Sequence, residues 1–247
     1  MIDTQLHLVD PERFPIPRDS RGYVPGAGET GDLDALLAAM DRAGVERGVL
    51  VQPSCYDTDN RALLHALDRH PARFRAVVMT EHPSDWATRP GVRGVRINAT
   101  DYAAHAGGAH DTAAEALRAG LVLQLQAFPR DLAGLVDGLP DGPVVIDHMG
   151  RPADAADAER VAALATRADT YLKVSGGFRF GAWPVAPGWA RELAAAFGPD
   201  RLLWGSDWPM LNAAERPSMT EAMRWAASIA DLDAASANAA RLFGFDG

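Results

Sequence analysis

The sequence predicts a (β/α)8 barrel, with parallel strands alternating with helices around one core. Three observations carry this expectation. A length of 247 residues suits such a barrel closing as one domain. Eight short apolar runs recur along the chain, several near-continuous in Val, Leu and Ile, as parallel strands covered on both faces require. Helical patterns sit between most of those runs. A doubly wound open sheet is the competing architecture, but no Gly-rich phosphate turn follows the first run. No linker, repeat or low-complexity tract divides the chain, so residues 1–247 are expected to form a single domain.

The runs are IDTQLHL (2–8), ERGVLVQ (46–52), FRAVVMT (74–80), GVRGVRI (91–97), GLVLQLQ (120–126), GPVVIDH (142–148), TYLKVSG (170–176) and RLLWGSD (201–207). After the first, residues 11–31 hold four Pro and several Gly, which predicts a loop over the barrel mouth. A helix over Asp32–Ala43 then follows, with Leu33, Leu36, Leu37 and Met40 on one face, Asp32 as cap and Gly44 as terminator. Asp59–Arg69 repeats the pattern through Leu63, Leu64 and Leu67. Thr112 and Glu115 have capping-box spacing ahead of Leu117, and Gly120 closes that helix. Asp154 caps a segment carrying Val161, Leu164 and Ala168, and Pro187 opens another with Trp189, Leu193 and Phe197. Helical patterns continue from about Glu215 to the end.

A formal charge of −9, with no basic run or stripe, argues against nucleic acid and anionic membranes as partners. No apolar run reaches membrane-spanning length. The lone Cys55 cannot form an intrachain disulfide, and a strand starting at residue 2 leaves no space for a leader, so the expected location is cytoplasmic.

In this barrel the chemistry sits at the C-terminal ends of the strands. Polar residues collect there: Gln5 and His7, Gln52 and Ser54, Arg96 and Asn98, Gln124 and Gln126, Asp147 and His148, Lys173 and Ser175, Ser206 and Asp207. Any one of them alone is as readily a hydrogen-bonded strand end; together they favour a polar pocket. His7, His148 and Asp207 end the first, sixth and eighth strands. Two imidazoles and a carboxylate can bind a divalent metal. They can also act without one, the carboxylate as general base on water and the imidazoles polarising a carbonyl. Arg96, Arg151 and Arg179 suit bidentate grip on an anionic substrate, each weighed against an ordinary surface arginine. Cys55 lacks a neighbouring base and Ser54 lacks the GxSxG turn, so neither reads as a nucleophile.

IDTQLHLVD, QPSCYDTDNRALL, GVRGVRIN, IDHMGRP, LKVSGGFR, LLWGSDWPM and NAARLFGF resemble the amidohydrolase-related family of TIM barrels. Within it the likeness is to the lactonase branch, which contains 2-pyrone-4,6-dicarboxylate lactonase, sugar-acid lactonases and D-galactarolactone isomerase. It extends from the first strand to the last helix. The resemblance implies a water-activating Asp on the eighth strand, matched by Asp207, and a strand-6 His, matched by His148. Metal-dependent relatives carry His-x-His on the first strand; here Gln5 departs and His7 matches. The galactarolactone isomerases also read Gln-x-His there, and members of this branch work without a metal. No cofactor is therefore expected to be required. In the alternative, one divalent ion such as Zn would be held by His7, His148 and Asp207. Ser54, Arg96 and Arg179 match positions that hold substrate carboxylates, with Tyr56, Gln126 and Gln5 as further substrate-binding residues.

The expected function is a hydrolase opening a small anionic lactone, with Asp207, His148 and His7 catalytic. The rivals are a lactone isomerase, a metal-dependent hydrolase of the same family, and a non-catalytic barrel that binds a small acid.

Overall fold

The computed structural model describes residues 1–20, 22–26, 28–100, 108–181 and 183–245. All eight apolar runs become parallel strands: β1 (Ile2–Leu6), β2 (Arg47–Val51), β3 (Phe74–Val78), β4 (Val92–Asn98), β5 (Val122–Gln126), β6 (Val144–Ile146), β7 (Thr170–Val174) and β8 (Leu202–Trp204). They pair in sequence order, β1 through β8. The seam closes where the Asp207 N–H donates to the Gln5 carbonyl (3.0 Å) and the His7 N–H to the Trp208 carbonyl (2.8 Å). That closure needs Gly205, because a Cβ there would lie 2.4 Å from the Cβ of Gln5. The barrel is therefore the one the alternation of runs predicts.

The helices among the described residues are α1 (Leu33–Ala43), α2 (Arg61–Arg69), α3 (Ala109–Arg118), α4 (Pro129–Val136), α5 (Ala155–Ala162), α6 (Trp189–Phe197), α7 (Met219–Ala227) and α8 (Leu232–Phe243). The Asp32 carboxylate accepts from the Ala35 N–H at 2.7 Å, and Gly44 ends α1 at φ 70°. Asp154 caps α5 in the same way. One expectation is corrected. The Thr112–Glu115 spacing is not a capping box: α3 starts earlier, at Ala109, and the Glu115 carboxylate accepts from the Ser84 N–H at 2.9 Å. Helix α4 follows β5 with a Pro at its first turn and only a short apolar face, too little periodicity to stand out. Between β3 and β4 the chain makes only a 3-10 turn, Pro83–Trp86.

Inside the barrel, side chains point inward at every second residue. Ile2, Val49, Val51, Val77, Val122, Val145 and Leu203 form an apolar layer at the N-terminal end, closed from below by Phe243 and Phe245. Further along, the same inward positions turn polar: Val122 gives way to Gln124 and Gln126, and Leu203 to Gly205 and Asp207. A larger apolar shell lies between the strands' outer faces and the helices. Among the described residues no helix is long and apolar enough to cross a membrane.

Candidate active site

Where the inward positions turn polar, a cleft opens at the C-terminal ends of the strands. It holds about 580 Å³ of atom-free space, part of it open to solvent. That is room for a small molecule. His7, Ser54, Arg96, Gln126, His148, Arg179 and Asp207 all reach its wall, so seven of the residues singled out from sequence are gathered in one place.

Asp207 is the centre of the group. It is buried and sits at φ 65°, in the left-handed region that non-glycine residues rarely adopt. One carboxylate oxygen, Oδ2, accepts from Arg179 Nε (3.0 Å) and Nη2 (2.7 Å). The other, Oδ1, lies 3.2 Å from His7 Nε2 and 4.0 Å from His148 Nε2. Burial alone would raise this carboxyl, but the Arg179 guanidinium brings it well below the usual carboxylate range. Asp207 is thus ionised. His148 is buried as well, and desolvation pushes it down to about 3, so its imidazole is neutral. His148 Nδ1 faces the Ser175 hydroxyl at 3.0 Å. Backbone strain gathers here too: His148, Met149 and Arg151 take φ of 50°, 53° and 56° in the turn after β6.

Beneath this layer lies a buried polar floor. Gln5 Oε1 accepts from Lys173 Nζ (2.5 Å) and from Gln124 Nε2 (3.0 Å). Lys173 also pairs with Asp147 Oδ1 at 3.0 Å, and Gln124 donates to Asp147 Oδ2 at 2.9 Å. Burial lowers Lys173, against the opposing pull of Asp147. The Gln5 amide nitrogen sits 3.3 Å from His7 Nε2, while His7 Nδ1 donates to the Val51 carbonyl at 2.7 Å. Gln5 itself is 0 % exposed, one layer below the cleft rather than in its wall.

The remaining substrate-binding candidates divide. Arg96 is held by the Gln52 carbonyl (2.8 Å) and by the Gln126 side-chain oxygen, and its face reaches the cleft. Ser54 accepts from Asn98 Nδ2 at 2.6 Å. Tyr56 lies outside the cleft wall: it is buried, and its hydroxyl accepts from the Asp10 N–H at 3.0 Å. Cys55 reaches the wall, with its thiol pushed up to about 12 by burial. His105 lies outside the described residues. Sequence reading missed Tyr23, Leu211 and Asn212, which come to the wall from loops with no periodicity to mark them.

Of the His7, His148 and Asp207 set, Oδ1 of Asp207 faces both imidazoles, while Arg179 grips Oδ2 and the Gln5 amide nitrogen lies 3.3 Å from His7 Nε2. Among the described residues no group of three or more His, Cys, Asp or Glu is placed to hold a metal.

Comparison with known proteins finds the amidohydrolase family matching residues 2–245. A 4-sulfomuconolactone hydrolase of Rhizobium radiobacter is 32% identical over 229 residues, covering 84% of this chain and 75% of that protein. A 2-pyrone-4,6-dicarboxylate hydrolase of Comamonas testosteroni is 30% identical over 242 residues, covering 85% and 77%. A solved Agrobacterium tumefaciens protein, in its apo form, superposes with a TM-score of 0.80 at 21% identity, covering 98% of this chain and 95% of its own. That last likeness concerns the fold alone.

Proposed function

Because the chain belongs to the amidohydrolase family, we propose that it is a lactonase, opening a small anionic lactone with water activated by Asp207 and without a metal. The observation that carries this reading is an ionised Asp207 at the base of the cleft, between two imidazoles and a guanidinium.

The resting pair explains why an anionic substrate is wanted. While Arg179 holds Oδ2, Asp207 is a weak base. A substrate carboxylate that draws Arg179 toward itself restores the basicity of Asp207 in the same act that anchors the ring. Asp207 then takes a proton from water, and the water oxygen bonds to the lactone carbonyl carbon. The neutral His148 imidazole and the Arg96 side of the cleft stabilise the developing oxyanion and the remaining anionic group. As the tetrahedral species collapses, the ring C–O bond breaks and the leaving oxygen receives the proton from Asp207. Water and lactone become one ring-opened acid. The relatives named above, which hydrolyse a sulfonated muconolactone and a pyrone dicarboxylate, support this class of substrate.

The test is turnover of a panel holding 2-pyrone-4,6-dicarboxylate and sugar-acid lactones. Native protein is expected to open at least one member. Asp207→Asn, folded by circular dichroism, is expected to lose about 10²–10⁴-fold in kcat, the range of a general base. Full turnover in that variant would remove Asp207 from the reaction. A ring-shifted product in place of the acid would favour the isomerase that Gln5-x-His7 resembles.

A further inference from the structure

We infer that Lys173 is a positioning residue for this reaction: by holding the Gln5 side-chain oxygen it fixes where the lone pair of His7 points. The inference rests on the lactonase reading for its catalytic consequence, but not for its structural one.

An ammonium can only donate, so the Gln5 atom 2.5 Å from Lys173 Nζ must be the oxygen. Gln124 Nε2, at 3.0 Å, donates to the same oxygen and agrees. The Gln5 NH2 is thereby directed at His7 Nε2, 3.3 Å away, which then serves as acceptor. From the other side, the Val51 carbonyl can only accept, so the hydrogen of His7 sits on Nδ1. For a neutral His7 both constraints select the Nδ1-protonated tautomer, whose bare Nε2 lies 3.2 Å from Asp207 Oδ1 and so favours a proton on that oxygen. A proton that Asp207 takes from water on Oδ1 faces that lone pair and is stabilised there.

Without Lys173 the Gln5 oxygen loses its charged donor and keeps only Gln124, so the amide is held less firmly in this orientation. A 180° turn would then offer oxygen to His7 Nε2, drawing the hydrogen there and leaving the Val51 carbonyl without its donor. Lys173 does not reach the cleft wall; it meets cleft-lining residues through Gln5 and, by way of Asp147, through Arg96. Its partner Asp147 is also fully buried and lies 3.8 Å from Arg96 Nε, so removing Lys173 alone takes away one of the two buried cations beside that carboxylate.

The experiment uses Lys173→Met/Asp147→Asn, which removes both charges, and Gln5→Leu, which removes the amide. The first readout is the ¹⁵N NMR signature of His7 at neutral pH. Native protein is expected to show Nδ1 protonated and Nε2 bare, with a mixture in each folded variant. Should the double variant fail to fold, Gln5→Leu reads the same relay. The second readout is kinetic: kcat falls about 10–100-fold, as for loss of a supporting partner, with KM within about twofold. Combining Gln5→Leu with the charge-pair variant is expected to cost no more than the charge-pair variant alone, because the Lys173 contact acts through Gln5. A native His7 protonated on Nε2, an unchanged tautomer in the variants, or a purely additive loss would overturn the proposal. If no lactone is turned over at all, the lactonase reading fails while the tautomer measurement still decides the role of Lys173.

Discussion

His148 and Asp3 are both fully buried, and burial moves them in opposite directions on the pH axis. Desolvation takes His148 from an ordinary 6.5 down to about 3, so its contribution to stability is complete above pH 6.5 and is lost as pH falls toward 3. Asp3 accepts from the Gln5 and Ser206 N–H groups, yet desolvation still raises it from 3.8 to about 7. The folded protein therefore keeps a proton there that the unfolded chain releases, and this contribution is lost as pH rises through 7. Between pH 6.5 and 4 the two slopes oppose. Urea unfolding across that window is expected to show His148→Gln losing less stability on acidification than native protein, and Asp3→Asn losing more, each by about one bound proton. Parallel slopes in all three would contradict the assignment. At this scale the sequence was informative about residue type and strand end, which placed His7, His148 and Asp207 together. It was silent on partners: nothing in the spacing says that Arg179 rests on Asp207, or that Tyr56 serves the Asp10 backbone.

Elements were legible where their periodicity was long. Eight buried parallel strands leave near-continuous apolar runs, and α1 announces itself by its cap, its stripe and Gly44. Helix α4 has eight residues, and the Thr112–Glu115 spacing matches a cap by chance because Glu115 bonds Ser84 from a different element. Gly205 illustrates what pairing adds. In sequence it is one glycine in GSDWP; in the barrel it is the close contact between β8 and Gln5 on β1. Gly205→Ala has nowhere to put its Cβ without moving that backbone. It is expected to destabilise by about 1–3 kcal/mol and, by displacing Gln5, to lower kcat. Urea midpoints and steady-state kinetics check this, and a variant with native kcat would separate the seam from the chemistry.

Seen whole, the molecule carries a net charge of −9 but turns arginines inward at one end, where Arg96 and Arg179 reach a cleft and the Asp147–Lys173 pair lies buried one layer beneath it. The opposite end is closed by residues 243–245: Arg47 donates to the Phe245 carbonyl at 2.7 Å and Arg75 to that of Gly244 at 2.9 Å. One mouth is thus sealed for stability and the other left for chemistry, the division expected of this barrel. Total charge could not reveal that, since an anionic substrate responds to the local field. The most direct test of the lactonase reading is turnover of the lactone panel by chelator-treated protein in H₂¹⁸O. One ¹⁸O atom in the carboxylate of a ring-opened acid, at an undiminished rate, is the expected result. Turnover that returns only on adding a divalent metal would contradict it, and so would a ring-shifted product free of ¹⁸O.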